Sequence, residues 1–268
     1  MQLKNKLSRL KKILTESGSC LIAFSGGADS AFLLKIASLI LPKQKIMALT
    51  ANSATYPKEE FLFARQFSKK LKVSHKIINT RELNNEKFAA NPPQRCYFCK
   101  KELFTKLKKI AKKNKLNFVF DASNVSDNSD FRPGERAKKE LKVRSPLQEA
   151  GLTKADIRVL SKKLGLGTWN KPSQACLASR IPYGERISKP ILERIHKAEG
   201  FLKRLNFSQA RVRHYNGLCR IEVPKQEISR LIAKRQSIVD KLKKLGYNYI
   251  TLDMEGYRTG SLNEVIGR

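Results

Sequence analysis

Acidic side chains are in short supply in this chain. Only 23 Asp and Glu stand against 55 Lys and Arg, leaving a formal net charge of +32. A field of that sign draws polyanions, nucleic acid and nucleotides included, by long-range steering. A tRNA partner is one reading of it. The other is a solvated surface, because the excess is mostly lysine, scattered as doublets such as Lys69-Lys70, Lys108-Lys109, Lys112-Lys113 and Lys162-Lys163, with no basic tail carrying interleaved aromatics. Long apolar runs are also missing. LIAF at 21–24 and the stretch around LLKIASLILP are too short or too interrupted to cross a bilayer. The opening segment sets Leu3, Leu7, Leu10, Ile13 and Leu14 at helical spacing among lysines, which predicts an amphipathic first helix rather than a signal peptide. A soluble cytoplasmic protein with no membrane partner is expected. Histidine is down to three residues, His75, His196 and His214, without metal-ligand spacing. Cysteines number five, an odd count that argues against a secreted disulfide framework. Internal repeats and low-complexity tracts are absent.

What is present is a chain of 268 residues, 41% of them hydrophobic, enough for one large domain and a smaller one. Short β-like runs alternate with helical patterns: strand 20–24, helix 30–41, strand 45–50, helix 57–71 opened by Pro57, strand 73–78, helix from about 100 to 113, and strand 116–121. Such alternation predicts an α/β fold, a parallel sheet with helices on both faces and ligands at the carboxyl ends of its strands. Residues 143–147 and a helix beginning near Thr153 continue it. Residues 165–190 are rich in glycine and proline with little periodicity, which marks a functional loop or a junction. Beyond them the rhythm changes to helix 191–205, a hairpin around Asn216-Gly217, helix 226–245 and a last strand 247–252. We read residues 1–170 as the α/β domain and 171–268 as a small α+β domain for substrate binding or oligomerisation.

Between the first strand and the following helix lies Ser25-Gly26-Gly27-Ala28-Asp29-Ser30. Two glycines let backbone N–H groups approach an anion, and the helix behind them offers its positive end. Ser25 and Ser30 can donate hydroxyls, and Asp29 can hold Mg²⁺ against phosphates. Ser53, just past the second strand, joins the residues assigned to ATP. The motif is neither GxxxxGK[ST] nor GxGxxG, so γ-phosphate transfer and dinucleotide binding are not the natural readings. It resembles the SGGxDS signature of the PP-loop ATP pyrophosphatases. That resemblance implies cleavage between the α- and β-phosphates, with adenylation of a carboxylate or carbonyl oxygen.

Cys96 and Cys99 form a C-x-x-C expected at a helix N-terminus among Arg95, Lys100 and Lys101, where thiolate is favoured. Two thiolates suit a metal or an iron-sulfur cluster but do not close a site. Cys176, in KPSQACLASRIPYGERI, is the leading third ligand on chemical grounds. A thioredoxin-type redox pair and a structural zinc site are the alternatives. Cys20 and Cys219 read as small buried hydrophobes.

With SGGADS, RCYFCK, SDFRPGERA, RSPL, GLTKADIR, ACLASRIPYG, VRHYNGLCRIEV and YITLDMEGYRTGSLNE in this order, the chain resembles, over nearly its whole length, the LarE family of ATP-dependent sulfur transferases of nickel-pincer nucleotide biosynthesis. The resemblance implies a small-molecule pyridinium dicarboxylate mononucleotide as substrate, adenylation of a carboxylate, and sulfur attack to give a thiocarboxylate. It further implies that members with one cysteine, at the position of Cys176, sacrifice it, whereas members with three hold a 4Fe-4S cluster that carries the sulfur. Cys96, Cys99 and Cys176 are then the ligands. Ser179, Arg180, Arg211 and Arg213 are carried over as substrate contacts, and Glu199 as a residue near the reacting cysteine. Catalysis is assigned to Cys176, Asp29, Arg180 and Glu199. A homo-oligomer, with a hexamer as one form, is also implied. Arg230 departs from the pattern, since an acidic residue is expected there in single-cysteine members. A PP-loop tRNA thiolase, a cysteine-independent amidating ligase and a non-enzymatic cluster carrier remain as competing readings.

Overall fold

A computed structural model describes residues 2–55, 59–129, 131–172 and 175–266. In chain order its elements are α1 (Gln2–Ser17), β1 (Cys20–Ala23), α2 (Ala28–Ile40), β2 (Ile46–Asn52), α3 (Glu59–Lys70), β3 (Ser74–Asn79), α4 (Glu86–Ala89), α5 (Arg95–Lys113), β4 (Phe118–Phe120), α6 (Gly134–Glu140), α7 (Pro146–Glu149) and α8 (Lys154–Lys163). There follow α9 (Lys189–Arg204), β5 (Arg211–Tyr215), β6 (Leu218–Glu222), α10 (Ile228–Ala233), α11 (Arg235–Lys244) and β7 (Tyr249–Leu252). Pro57, the expected opener of α3, lies outside the described residues, as do Asp130, Ser173 and Gln174 of the quoted motifs. Among the described residues no helix is long and apolar enough to cross a membrane.

The chain divides into two compact units, Met1–Glu82 with Cys96–Gln174, and Leu83–Arg95 with Ala175–Arg268. Leu83–Arg95, which lies within the sequence span expected of the α/β domain, groups with the second unit. Inside that unit Asn91 is fully buried and donates its side-chain amide to the carbonyls of Ile181 (3.2 Å) and Pro182 (2.6 Å). Those non-local bonds leave no trace in a periodicity.

The first unit carries a four-stranded parallel sheet in the order β3-β2-β1-β4. Alternation along the strands divides its core in two. Cys20 and Ile22 of β1, Ile46 and Ala48 of β2 and Phe120 pack with α1, α2 and α8 on one face. Leu21, Met47, Leu49 and Val119 pack with Phe104, Leu107 and Ala111 of α5 and Ala137 of α6 on the other. This is the fold expected of the PP-loop class. Instead of a fifth strand over 143–147, only an isolated parallel bridge joins Phe120 to Arg144, because Pro146, with no N–H to give, opens α7.

The second unit has its own core and a three-stranded sheet in the order β5-β6-β7, with β5 antiparallel and β7 parallel to β6. Asn216 and Gly217 both take positive φ, 37° and 96°, as a two-residue hairpin turn of right-handed strands requires. The helix expected over 226–245 is broken at Lys234 into α10 and α11.

Candidate functional site

The strand order reverses between β1 and β4, and in open parallel sheets ligands bind past the carboxyl ends of the strands at such a switch point. The chain leaving β1 there is Ser25-Gly26-Gly27. Gly26 has φ +73°, and a Cβ on it would lie 3.2 Å from both Glu60 Oε2 and a ring carbon of Phe63, so only glycine fits. Gly27 is the N-cap of α2 and makes no side-chain cap. The first-turn N–H groups of α2 are therefore available to an anion. Ser30 is buried, donates to the Gly27 carbonyl at 3.2 Å, and lies 3.2 Å from the Ser25 hydroxyl.

Asp29 follows on the first turn of α2. Its Oδ2 accepts from Asn124 Nδ2 at 3.3 Å, while Oδ1 is buried with no hydrogen-bond partner among the described residues. Burial is the largest influence on this carboxyl and lifts its pKa above the ordinary value; Asp127 adds to the rise, and Lys154, Arg158 and the Asn124 bond offset only part of it. A buried carboxylate oxygen without a donor is unfavourable by itself, and a hard cation such as Mg²⁺ is the ligand it suits.

Asn124 and Asp127 were not singled out by sequence reasoning, although they lie in the polar loop after β4. Asp127 Oδ2 accepts from the Asn124 amide at 3.0 Å, and its other oxygen pairs with Arg132 at 2.7 Å. Asp121, directly after β4, is buried. It accepts from Ser145 at 2.6 Å and Ser123 at 2.8 Å, with the Lys138 ammonium 3.5 Å away. Burial alone would raise its pKa, but Lys100, Lys138 and the two hydroxyls outweigh that and hold it low. Ser53, past the end of β2, bonds to the buried Glu82 and lies 2.7 Å from the Thr55 hydroxyl.

Cys96 and Cys99 lie in the first turns of α5, which starts at Arg95 rather than near 100, and three-residue spacing puts both thiols on one side of it. Cys96 is exposed and Cys99 half-buried. Tyr97 between them donates to Glu140 of α6 at 2.9 Å and accepts from Lys101 at 2.7 Å. α6 begins close by, since a Cβ on Gly134 would stand 3.0 Å from Lys100 Cγ and 3.6 Å from the Cys96 carbonyl.

In the second unit Cys176 is exposed and caps the short turn Leu177–Arg180. Arg180 is 3% exposed and each of its three side-chain nitrogens bonds within this unit. Nε and Nη2 pair with Glu199 at 2.8 and 2.9 Å, and Nη1 reaches the carbonyls of Ala175 and Cys176 at 2.9 and 3.0 Å and the Ser179 hydroxyl at 2.9 Å. Glu199 also accepts from the Val212 amide at 3.1 Å. Arg213 is likewise internal, bidentate to the fully buried Glu222 at 2.8 and 2.9 Å, with further bonds to Ser179 O and Ser261 Oγ. Both arginines, carried over as substrate contacts, thus bond to the loop that displays Cys176. Arg211 differs. It stacks over Tyr257 at 5.4 Å, and burial, followed by the like charge of Arg180, lowers its pKa despite Glu199. Its Nη1 donates to the Ala210 carbonyl at 3.0 Å. Arg230 donates to Asn206 O at 2.8 Å and covers the Phe207 ring at the surface.

Cys96 and Cys99 thus belong to one unit and Cys176 to the other. Within neither unit alone do the described residues gather three or more His, Cys, Asp or Glu side chains in metal-holding geometry. Cys96, Cys99 and Cys176 are each accessible to some degree, whereas Cys20 and Cys219 are buried and their thiols pushed up to about 12. Arg95, the residue before Cys96, is buried, bonds to Asn91 Oδ1 at 3.1 Å and stacks over Tyr183 at 4.6 Å.

No protein-family model matches the chain. It is 40% identical over 266 residues to an uncharacterised protein of the cyanobacterium Synechocystis, covering 98% of this chain and 99% of that one. It is 34% identical over 264 residues to the pyridinium-3,5-bisthiocarboxylic acid mononucleotide synthase of Lactiplantibacillus plantarum, covering 98% and 96%. An uncharacterised protein of Methanocaldococcus jannaschii is 31% identical over 257 residues, covering 95% and 98%.

Proposed function

The chain belongs to the LarE family of pyridinium-3,5-bisthiocarboxylic acid mononucleotide synthases, and from that premise we propose that it is a cytoplasmic, homo-oligomeric ATP-dependent sulfur transferase of nickel-pincer nucleotide biosynthesis. A carboxylate oxygen of a pyridinium mononucleotide attacks the α-phosphorus of ATP and pyrophosphate leaves. Hydrosulfide sulfur then adds to the acyl carbon, AMP departs with the bridging oxygen, and a thiocarboxylate and one proton result. The observation that carries this reading is Asp29, with a buried, unpartnered oxygen among the described residues, in a glycine loop at the topological switch point.

The chain's own residues divide the work. Backbone N–H groups at Gly27 and the start of α2, with the Ser25 and Ser30 hydroxyls, hold phosphate oxygens. Asp29 would hold Mg²⁺, which supplies charge neutralisation on the polyphosphate. Arg211, on β5, takes the phosphate or carboxylate of the mononucleotide. Arg180 and Glu199 keep the turn at Cys176 in place. A 4Fe-4S cluster on the Cys96, Cys99 and Cys176 thiolates would supply the sulfur as sulfide.

Anaerobic purification with iron and sulfide analysis tests that last point. Four irons per chain in wild type, lost on Cys176→Ser and Cys96→Ser alike, is the expected result. An iron-free protein that turns over once and loses the elements of H₂S at Cys176 would replace the cluster with a sacrificial cysteine. The net charge of +32 favours a second reading, tRNA as the sulfur acceptor. That reading requires tight tRNA binding at physiological salt that weakens steeply as salt rises.

A further inference from the structure

Lys171 is remote in sequence from the glycine loop, yet its ammonium donates to the Gly26 carbonyl at 3.1 Å. It also pairs with Glu60 at 2.5 Å and stands 4.5 Å above the centre of the Phe63 ring. Glu60, on the first turn of α3, has a side chain only 9% exposed. Its carboxylate presses on the loop from behind, as the 3.2 Å approach to a Gly26 Cβ indicates. A buried carboxylate against a loop built for phosphates is repulsive to the very ligand the loop would hold. A lysine between them reverses that sign.

Stability alone is a weak explanation for the pair, since a buried ion pair seldom outperforms apolar packing, and Phe63 already supplies an apolar wall. Lysine also has three N–H donors on one compact charge. Among the described residues Glu60 and the Gly26 carbonyl take two. The backbone of Lys171 is held from the side of α8, whose Arg158 donates Nη2 to the Lys171 carbonyl at 3.4 Å, and Arg158 is also one of the cations acting on Asp29.

We propose that Lys171 is a polyphosphate-binding residue. Its remaining donor takes an oxygen of the β,γ-phosphate portion of ATP, and of the pyrophosphate that this portion becomes, while Glu60 is a positioning residue that aims the ammonium at the loop. The proposal rests on the ATP reading above and goes beyond it by assigning a residue outside the SGGADS motif to the leaving group.

Calorimetric titration of the full chain with Mg-ATP, AMP and Mg-pyrophosphate tests it. Replacing a charge-assisted hydrogen bond weakens binding about tenfold or more. Lys171→Ala should therefore weaken ATP and pyrophosphate by that factor and leave AMP within about twofold, and Lys171→Arg should recover part of the loss. Glu60→Gln, which keeps the ammonium but loosens its aim, should weaken ATP and pyrophosphate less than Lys171→Ala does and leave AMP within about twofold; no loss in Glu60→Gln would contradict the positioning role. Unchanged ATP and pyrophosphate affinity in Lys171→Ala, or an equal loss for AMP, would overturn the proposal and leave Lys171 as a strap across the loop. Should Lys171→Ala not fold, as circular dichroism would reveal, Lys171→Gln and Lys171→Arg carry the same comparison. A wild-type chain that binds none of the three ligands contradicts the ATP reading itself, a result separable from any variant's.

Discussion

At the scale of single residues, Asp29 carries a cost that a ligand would relieve. Its carboxyl binds a proton more tightly in the folded chain than in the unfolded one, because burial raises its pKa. The stability tied to that proton is present below the ordinary carboxylate range and is lost as pH rises through the raised value. At neutral pH the ionised side chain therefore destabilises the ligand-free fold, and Asp29→Asn should raise the melting temperature while abolishing Mg-dependent ATP binding. A lower melting temperature in Asp29→Asn would contradict the assignment. Arg213 should behave in the opposite way. Truncation to Ala leaves the fully buried Glu222 with only the longer contacts of Arg220 at 3.3 Å and Ser261 at 3.4 Å, and the loss should be about 3 kcal/mol in urea unfolding. A surface arginine would cost almost nothing. Residue identity was legible where the motif is local: Ser25, Gly26, Gly27, Asp29 and Ser30 lie together because they are consecutive. The partners of the arginines were not, since Glu199 lies nineteen residues from Arg180 and Glu222 meets Arg213 only across the β5-β6 pairing.

Elements show the same division. The strands of the parallel sheet follow from runs of apolar residues near 20, 46, 74 and 118, and α8 begins where Thr153 and Asp156 form a capping box. Lys154 and Arg158, which act on Asp29, ride on the first turns of that helix. Thr153→Ala should lower stability by about 1 kcal/mol and weaken Mg-ATP through a frayed α8, with Thr153→Ser restoring both, as denaturant curves and titrations would report. Not legible was the excursion of Leu83–Arg95 into the second unit. It is held there by Asn91, whose amide meets two carbonyls, by backbone bonds from Gly184 and Ile187, and by the Arg186–Glu86 pair, non-local contacts of which the local sequence carries no signal.

For the whole molecule, the proposed site residues divide between the two units: the glycine loop and the C-x-x-C fall in one, Cys176 and the turn that follows it in the other. Charge acts at this scale too. If +32 is a solvated surface, tRNA should be released at moderate salt while Mg-ATP affinity, set by a few buried groups, changes far less. The most direct test of the account is to incubate the anaerobically purified protein with Mg-ATP, sulfide and a pyridinium dicarboxylate mononucleotide, and to follow nucleotides and substrate by mass spectrometry. The account predicts exchange of a carboxylate oxygen for sulfur with AMP and pyrophosphate formed in equal amounts. Release of ADP and phosphate, or an unchanged pyridinium substrate, would contradict it.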